Sequence, residues 1–501
     1  MTEQSAIFRL PGAPHAGVLQ SSLAALTRSR WFYVLMSVLV LVPCFWQPRV
    51  QAGDLSSHIY NAWLAQLIES GRAQGLVIVG QTTNILFDLM LSVLFKAFGA
   101  EAAQRISVSI AVLVFIWGSF AFVSAVSGKR PWHLLGCITM LAYGWVFHMG
   151  FFNFYLSLGL CFWALAMFWE FTPKRAAAAI LLLVLAYLAH PLPVVWTAGL
   201  LAYLWIARRV SANARAGVTA SWLLSMVIFH VAISRTLVTQ WSLAQVAVST
   251  GLDQLWVFDG KYYMVLIGLL LVWGLLFLEM LHRAGGRQVV SGIPFHLCVI
   301  SAVGVFVLPG TILIPGFHHA LVYIAERMSL GVGICFCALL ANAQPRALLR
   351  YAILLVALVF FGLLYRDERA LNSFEDRMQD TVSQLAPGQR VVSGIDDPDL
   401  RINALTHMID RECLGRCFSY ANSEPSTAQF RIRVTGASPI VAANYGESFA
   451  LQRGTYVLKD RDLPIYKLDL EKGRMVVRPL KAGEPCGSTF WKALPDLLWK
   501  S

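Results

Sequence analysis

The chain has 501 residues, of which 57% are hydrophobic and only 14% are charged. Soluble domains carry about one quarter charged residues, so this composition excludes an ordinary soluble protein. The net charge is +12, but Lys and Arg gather in short clusters between apolar segments, as in the cytoplasmic loops of membrane proteins. We therefore expect no nucleic acid partner. We predict a multi-pass protein of a bacterial-type inner membrane, with the lipid bilayer as its first partner.

The N-terminal residues 1–30 carry Arg9, Arg28 and Arg30 and show no small-residue cleavage site after a short apolar core. They are predicted to be an uncleaved cytoplasmic segment. Apolar runs long enough to cross a bilayer follow from Trp31 to Tyr365. Together they predict an all-α transmembrane domain, residues 31–365, with about eleven spans. The predicted spans are 31–47, 106–127, 134–150, 154–172, 177–190, 194–207, 217–234, 262–281, 289–308, 320–342 and 351–365.

The apolar segment 82–98 needs a separate argument, because it contains Asn84, Asp88 and Lys96. If this segment does not cross the membrane, five clusters of Lys and Arg fall in cytoplasmic loops; if it crosses, every later loop changes side. The positive-inside rule therefore predicts a non-spanning helix within an outer loop, residues 48–105. The N-terminus is then inside and the C-terminus outside. The five clusters are Lys129/Arg130, Lys174/Arg175, Arg208/Arg209/Arg215, Arg283/Arg287 and Arg346/Arg350.

Residues 366–501 differ sharply from the apolar part, since they are charged and contain Pro and Gly turns. A polar helix at 366–385 and strand-like runs at 390–393, 430–435, 439–443 and 475–477 predict a small extracytoplasmic α+β domain. Cys413 and Cys417 lie in this region. Their spacing is too sparse for a zinc site, and an extracytoplasmic location would allow them to form a disulfide.

Polar side chains that membranes normally exclude gather at the predicted outer face. Because the spans alternate in direction, a shared depth predicts one polar cavity that opens outward. Each side chain also has a purely structural interpretation. Asp54 could cap a helix, and Arg327 could pair with Asp88. His318 and His319 lack a third metal ligand in sequence, so no metal site is predicted. The gathered residues are Asp54, His58, Asn61, Asp88, His148, Asn153, His190, His318, His319, Glu326 and Arg327.

The first outer loop carries a recognisable order of residues: Asp54-Leu-Ser-Ser-His58, Gly71, a helix from Asn84 to Phe98-Gly99, and Arg105. In this order it resembles the GT-C glycosyltransferases, membrane enzymes that use polyprenyl-phosphate sugars. The branch it is most similar to contains the protein O-mannosyltransferases and the lipid A aminoarabinose transferase. The motif covers about residues 30–130. Leu55 stands where the family usually has a second acid, and Thr82-Thr83 stands where Pro-Pro is common.

The resemblance implies an inverting hexosyl- or pentosyltransferase that acts at the outer face. Asp54 would be the general base on the acceptor, and His58 would assist it. The donor phosphate would be bound by Arg327, His318, His319 and His190. The substrate cavity would include Asp88, Asn61, His148, Asn153 and Glu326.

The donor would be a polyprenyl-phosphate sugar, and the acceptor a glycan, lipid or protein that the sequence does not identify. No cofactor is expected, and no divalent metal, because the cationic side chains could replace one. Two alternatives remain open: a secondary transporter, or a non-enzymatic partner in envelope polysaccharide assembly or export. The chain has no internal repeat, and its polar residues gather on one side, which does not favour a transporter.

Overall fold

The computed structural model describes residues 29–494, so nearly all of the predicted N-terminal segment 1–30 lies outside the described residues. The described chain is mostly helical. Its helices are α1 (Arg30–Leu41), α2 (Leu55–Glu69), α3 (Leu86–Ser127), α4 (Leu135–Ala142), α5 (Trp145–Met149), α6 (Phe152–Trp169), α7 (Pro173–Ala189), α8 (Pro191–Ala207), α9 (Ala212–Thr236), α10 (Tyr263–Ala284), α11 (Gly286–Val290), α12 (Ile293–Val307), α13 (Ile324–Leu340), α14 (Ala347–Val382), α15 (Met408–Glu412) and α16 (Tyr445–Gln452).

Five helical segments of the described chain are long and apolar enough to cross a membrane, which indicates a membrane protein. Shorter apolar helices accompany them at Arg30–Cys44, Pro191–Ala207 and Ile293–Val307. Helical structure is present in every segment predicted as a span. The five long segments are Leu86–Ser127, Phe152–Trp169, Ala212–Thr236, Gly260–Ala284 and Ala347–Val382.

Two glycines shape the apolar helices near the outer loop. Gly99 has φ 79° and ψ 173°, which interrupts α3 at the end of the segment predicted not to cross. Gly144 separates α4 from α5, so the predicted span 134–150 is two short helices rather than one. A Cβ at Gly144 would lie 2.8 Å from the carbonyl oxygen of Gln254, and the Val146 amide donates to the Gln254 side chain at 3.1 Å. The loop that carries Gln254 therefore occupies the gap.

Small residues allow α3 and α6 to pack closely. A Cβ at Gly118 would lie 2.4 Å from the carbonyl oxygen of Gly159, and a Cβ at Gly159 would lie 2.7 Å from the Cα of Phe115. Close approach of backbones at small residues is the usual way in which apolar helices pack in a membrane. This crossing holds the two helices that deliver Asp88 and Asn153 to the outer end of the bundle.

The C-terminal region follows α14, a helix that runs without interruption through the predicted boundary at 365/366. A four-stranded sheet has the order β6-β4-β8-β9, in which β4 is parallel to β6 and β8, and β8 is antiparallel to β9. The predicted strand at 439–443 is wrong, since Pro439 begins an irregular segment there. The strands are β1 (Leu76–Ile78), β2 (Val238–Gln240), β3 (Thr311–Leu313), β4 (Arg390–Ser393), β5 (Ile395–Asp396), β6 (Phe418–Ser419), β7 (Ile432–Val434), β8 (Tyr466–Glu471), β9 (Arg474–Pro479) and β10 (Thr489–Phe490).

The C-terminal region packs directly on the first outer loop. Strand β1 of that loop pairs antiparallel with β7. One hydrophobic core continues from the helices into the C-terminal sheet. Cys413 and Cys417 form a disulfide after α15. Buried charges also join the two parts: Arg411 donates to Glu375 at 2.7 Å and 3.0 Å and to Gln104 at 2.7 Å.

The Arg411–Glu375 pair yields a stability prediction, because the Glu375 side chain is fully buried and that of Arg411 is 8% exposed. Arg411→Met removes the main partner of a buried carboxylate, so we expect the unfolding free energy to fall by about 3 kcal/mol. Thermal unfolding of the detergent-solubilised protein measures the loss. Arg474→Met, at an exposed position on β9, is the matched control. An Arg411 variant no less stable than that control would contradict the prediction.

Candidate functional site

Asp54 occupies the position immediately before α2, but its side chain does not cap the helix. The backbone at this position is bound to the end of α5, because the amides of Gly53 and Asp54 donate to the carbonyls of His148 and Met149 at 2.7 Å and 3.0 Å. The Asp54 side chain is one-third exposed and faces a cavity. The interpretation of Asp54 as a helix cap is therefore wrong, and its carboxylate is free for another role.

The cavity has a volume of about 260 Å³ and lies where the ends of the helices meet the C-terminal region. Six side chains that the sequence singled out line it together: Asp54, His58, Asn153, His190, His319 and Arg327. The opposite wall comes from the C-terminal region, through Asn403, Thr406, His407, Ser423, Glu424, Thr427, Gln429, Phe430, Tyr445, Phe449 and Gln452.

Asp88 lies behind His58 and orients it. The two side chains are 2.6 Å apart at His58 Nδ1 and Asp88 Oδ1, and the Asn153 amide donates to the other Asp88 oxygen at 2.7 Å. Burial lowers the pKa of His58, but the charge and hydrogen bond of Asp88, with Glu424 and Asp54, outweigh it and raise this pKa to about 9. His58 is therefore an imidazolium at neutral pH. The alternative that pairs Asp88 with Arg327 is wrong, because His58 takes that place.

The pH dependence of stability tests the His58–Asp88 pair. The pKa of His58 rises from 6.5 to about 9 on folding, so its contribution is complete below about pH 6.5 and is lost as the pH rises through 9. The pKa of Asp88 is lowered by His58 against the effect of burial, so its contribution is present above the ordinary pKa of Asp and is lost as the pH falls below that value. At pH 6 we expect the melting temperature of Asp88→Asn to be about 5 °C below that of the wild type. This difference should become smaller as the pH rises toward 9.5. A difference independent of pH would contradict this assignment.

Arg327 presents a cation to the cavity. Its guanidinium carbon lies 3.8 Å from the centre of the Phe151 ring, and among residues 29–494 no hydrogen bond to this guanidinium is present; its Nε is buried without a partner. The charge that interacts most strongly with it is the Asp54 carboxylate. Glu326, adjacent in sequence, projects about 100° away around the helix and does not line the cavity. The guanidinium is thus available to an anion from outside the chain.

His190 faces the cavity as a neutral donor. Its Nδ1 accepts a hydrogen bond from the Leu192 amide at 3.2 Å, which caps the start of α8. The ring hydrogen is then on Nε2. His190 thus caps the amides that begin α8.

Besides Asp88, four predicted site residues lie away from the cavity. The rings of His318 and Tyr445 are 6.4 Å apart. Asn61 accepts from the Asn422 amide at 2.9 Å and so joins α2 to the C-terminal region. His148 is buried against Glu368, with 3.1 Å between Nε2 and Oε1. Asn61 and His148 are buried, and Glu326 is half-buried. Sequence alone cannot distinguish these three residues from cavity residues at the same depth.

Two ionisable side chains of the cavity were not predicted, and both come from the C-terminal region. His407 Nε2 lies 3.9 Å from Asp54 Oδ1, and its Nδ1 is 2.9 Å from Asp410. Burial lowers the pKa of His407, but Asp410, Asp54 and Glu424 outweigh it and raise this pKa to about 9. The His407-x-x-Asp410 spacing was the signal that could have revealed it, since such residues share a helix face.

Glu424 is the second unpredicted group. The Ser57 hydroxyl donates to its Oε1 at 3.4 Å, which brings it against α2. Burial raises the pKa of Glu424 to about 7, and this rise exceeds the opposing effects of His58, Arg431 and His407. No sequence pattern marked Glu424.

A separate apolar pocket of about 430 Å³ adjoins the polar cavity, between α8, α9, α12 and α13. Helix α13 contributes to both spaces. Its residues Ile324, Ala325 and Met328 line the apolar pocket, and Arg327 lines the polar cavity. The two spaces therefore lie on neighbouring faces of α13.

Within residues 29–494 no group of three or more His, Cys, Asp or Glu side chains could hold a metal ion. The expected independence of a divalent metal is not tested by this and stays a prediction.

Comparison of the chain with protein-family models, with curated proteins and with solved structures finds no match. The resemblance to the GT-C glycosyltransferases therefore rests on the residues of the first outer loop and stays a prediction. Any functional conclusion must come from the cavity itself. It contains the Asp54 carboxylate, two imidazolium–carboxylate pairs and a guanidinium with no hydrogen-bond partner among the described residues.

Proposed function

We propose that the chain is an inverting glycosyltransferase of the GT-C type. It moves a sugar from a polyprenyl-phosphate donor to an acceptor at the outer face of a bacterial-type inner membrane. The observation that carries the proposal is that a carboxylate and a guanidinium line the same cavity. Asp54 offers a carboxylate that does not cap a helix, and Arg327 offers a guanidinium that has no hydrogen-bond partner among the described residues. A base and an anion-binding cation are what transfer from a sugar phosphate requires.

In the proposed reaction, the donor phosphate binds Arg327 and the polyprenyl chain lies in the apolar pocket between α8, α9, α12 and α13. The acceptor oxygen or nitrogen forms a bond to the anomeric carbon as the bond from that carbon to the phosphate oxygen breaks. The electron pair remains on the phosphate oxygen, whose charge Arg327 stabilises. The acceptor proton passes to Asp54. Because this is a single displacement, the anomeric configuration inverts.

The polar lining also suits a carbohydrate. Tyr323 and Tyr445 line the cavity with aromatic rings, on which the apolar face of a sugar could pack, and Asn403 and Gln429 line it with amide groups. Binding sites for small molecules typically combine such aromatic surface with a few placed polar groups.

The proposal includes the finer topology: eleven spans, with the N-terminus in the cytoplasm and residues 366–501 outside. Three features support it. The positive-inside rule requires a non-spanning segment at 82–98, α3 is interrupted at Gly99, and β1 of the outer loop pairs with β7 of the C-terminal region, so these two parts lie on one side. Labelling of single cysteines with a membrane-impermeant reagent tests it: reaction of Ser438→Cys in intact cells is expected, and protection from the reagent would contradict it.

A transfer assay distinguishes the proposed function from its two rivals. The purified protein is placed in vesicles with polyprenyl-phosphate sugars that carry a labelled sugar, and release of polyprenyl phosphate and movement of label to an acceptor are followed. A glycosyltransferase cleaves the donor. A secondary transporter moves labelled solute across the membrane with no cleavage, and an assembly partner does neither. Absence of donor cleavage with every sugar and acceptor supplied would contradict the proposal.

A further inference from the structure

The charged groups of the cavity fall into two sets that meet at Asp54. Arg327 interacts with Asp54 on the side of α13. His407 Nε2 lies 3.9 Å from Asp54 Oδ1, and both His58 and His407 interact with Asp54 and with Glu424. The sugar donor, whose phosphate needs Arg327 and whose tail needs the apolar pocket, accounts for the first set. The second set is then left for the other substrate.

Glu424 is the group of the second set that is open to a ligand. His58 is held by Asp88 at 2.6 Å and His407 by Asp410 at 2.9 Å, so each imidazolium already has a carboxylate. Glu424 has no comparably short partner among the described residues: its hydrogen bond from Ser57 is 3.4 Å long. Its carboxyl lines the cavity. A carboxylate in this position can accept hydrogen bonds from hydroxyl groups of a ligand.

We infer that Glu424 binds the acceptor and that the acceptor is a saccharide, with one hydroxyl directed at Asp54 and a neighbouring hydroxyl donating to Glu424. This inference rests on the proposed function. Tyr445 and Phe449, whose ring centres are 5.8 Å apart on α16 with 25° between the ring planes, provide apolar surface on the same wall of the cavity. The C-terminal region thereby supplies the acceptor side of the site, and α13 supplies the donor side.

The pH dependence of acceptor use should report Glu424. The groups that face it are His58 on α2, Asp88 on α3, Arg431 beside β7 and His407 before α15. Both histidines have pKa values of about 9, whereas that of Glu424 is about 7. Ionised Glu424 accepts a hydrogen bond from a hydroxyl, so kcat/KM for the acceptor should rise as the pH increases from 6 to 8.

The test compares Glu424→Gln with Glu471→Gln, an exposed carboxylate on β8 in the same region. Uncharged disaccharides serve as acceptors, with a hydroxyl-bearing peptide and a lipid alcohol in parallel. We expect Glu424→Gln to raise the disaccharide KM at least about tenfold, which is the effect of one hydrogen bond to a charged group, and to abolish the rise between pH 6 and 8. Donor affinity and melting temperature should be unchanged.

The outcomes separate the inference from the proposed function. If the wild-type protein cleaves donor and Glu424→Gln retains the wild-type acceptor KM and pH profile, the inference is overturned and the proposed function stands. Transfer to the peptide or the lipid alcohol but to no disaccharide overturns the saccharide assignment. If the wild-type protein cleaves no donor, the proposed function and the inference fail together.

Discussion

Asp54→Asn is expected to lower the rate of sugar transfer by about 10³-fold, within the range that a positioned general base contributes. The amide has nearly the shape of the carboxylate but cannot take the acceptor proton. Because the Asp54 side chain forms no cap hydrogen bond with α2, the substitution should leave the helix and the expression level intact. Single-turnover transfer at saturating donor measures the effect on chemistry directly.

The control for this prediction is Asp380→Asn, at an exposed position near the end of α14, which should transfer sugar at the wild-type rate. Donor affinity of the Asp54 variant should stay within about threefold of wild type, because Asp54 is proposed to take the acceptor proton and not to bind the donor. Transfer by Asp54→Asn within tenfold of the wild-type rate would exclude Asp54 as the base.

Arg327→Gln is expected to weaken binding of the polyprenyl-phosphate donor by about 30-fold, as expected for loss of a hydrogen-bonded charge of about 2 kcal/mol. The melting temperature of the ligand-free protein should be equal or higher, because the guanidinium lacks a hydrogen-bond partner among the described residues and its burial is unfavourable. Donor titration and thermal unfolding of the same preparations measure both quantities.

Arg327→Lys serves as the matched variant, because it keeps the charge but loses the planar donor geometry that suits a phosphate. It should bind donor with intermediate affinity. A structural role for Arg327 predicts the opposite pattern, with unchanged donor affinity and a lower melting temperature in Arg327→Gln, and that result would remove Arg327 from the donor site.

The sequence was sufficient for the features that depend on local chemistry. The apolar runs predicted helical structure at each proposed span, and Gly99 marked the break in α3, since a positive φ suits glycine. Asp54 and His58 fall on one face of α2 because they are four residues apart. Their common exposure to one cavity follows from that spacing and from the depth of the neighbouring helices.

Features that depend on distant packing could not be predicted. His407 and Glu424 reach the cavity because the C-terminal region docks on the outer loop through β1 and β7, a contact between segments more than 350 residues apart along the chain. The break at Gly144 likewise depends on Gln254, which fills the gap from another loop. In each case the deciding neighbour lies outside any window of sequence that periodicity can report.

In the folded chain, the position where a second acid would follow Asp54 is part of the hydrophobic core. Leu55, at that position, is fully buried and contributes to the core. Carboxylates nevertheless surround the cavity, because Glu424 lines it and Asp410 holds the imidazole that faces Asp54. The ionisable groups of the site thus come from both ends of the chain, so truncation of the C-terminal region should remove part of the site itself.

The most direct test is a cryo-electron microscopy structure of Asp54→Asn with a bound polyprenyl-phosphate sugar, since this variant should bind the donor without turning it over. We expect the phosphate within hydrogen-bond distance of Arg327, the polyprenyl chain between α8, α9, α12 and α13, and the anomeric carbon facing position 54. A donor bound elsewhere, with the cavity between Asp54 and Arg327 empty, would contradict the proposed site.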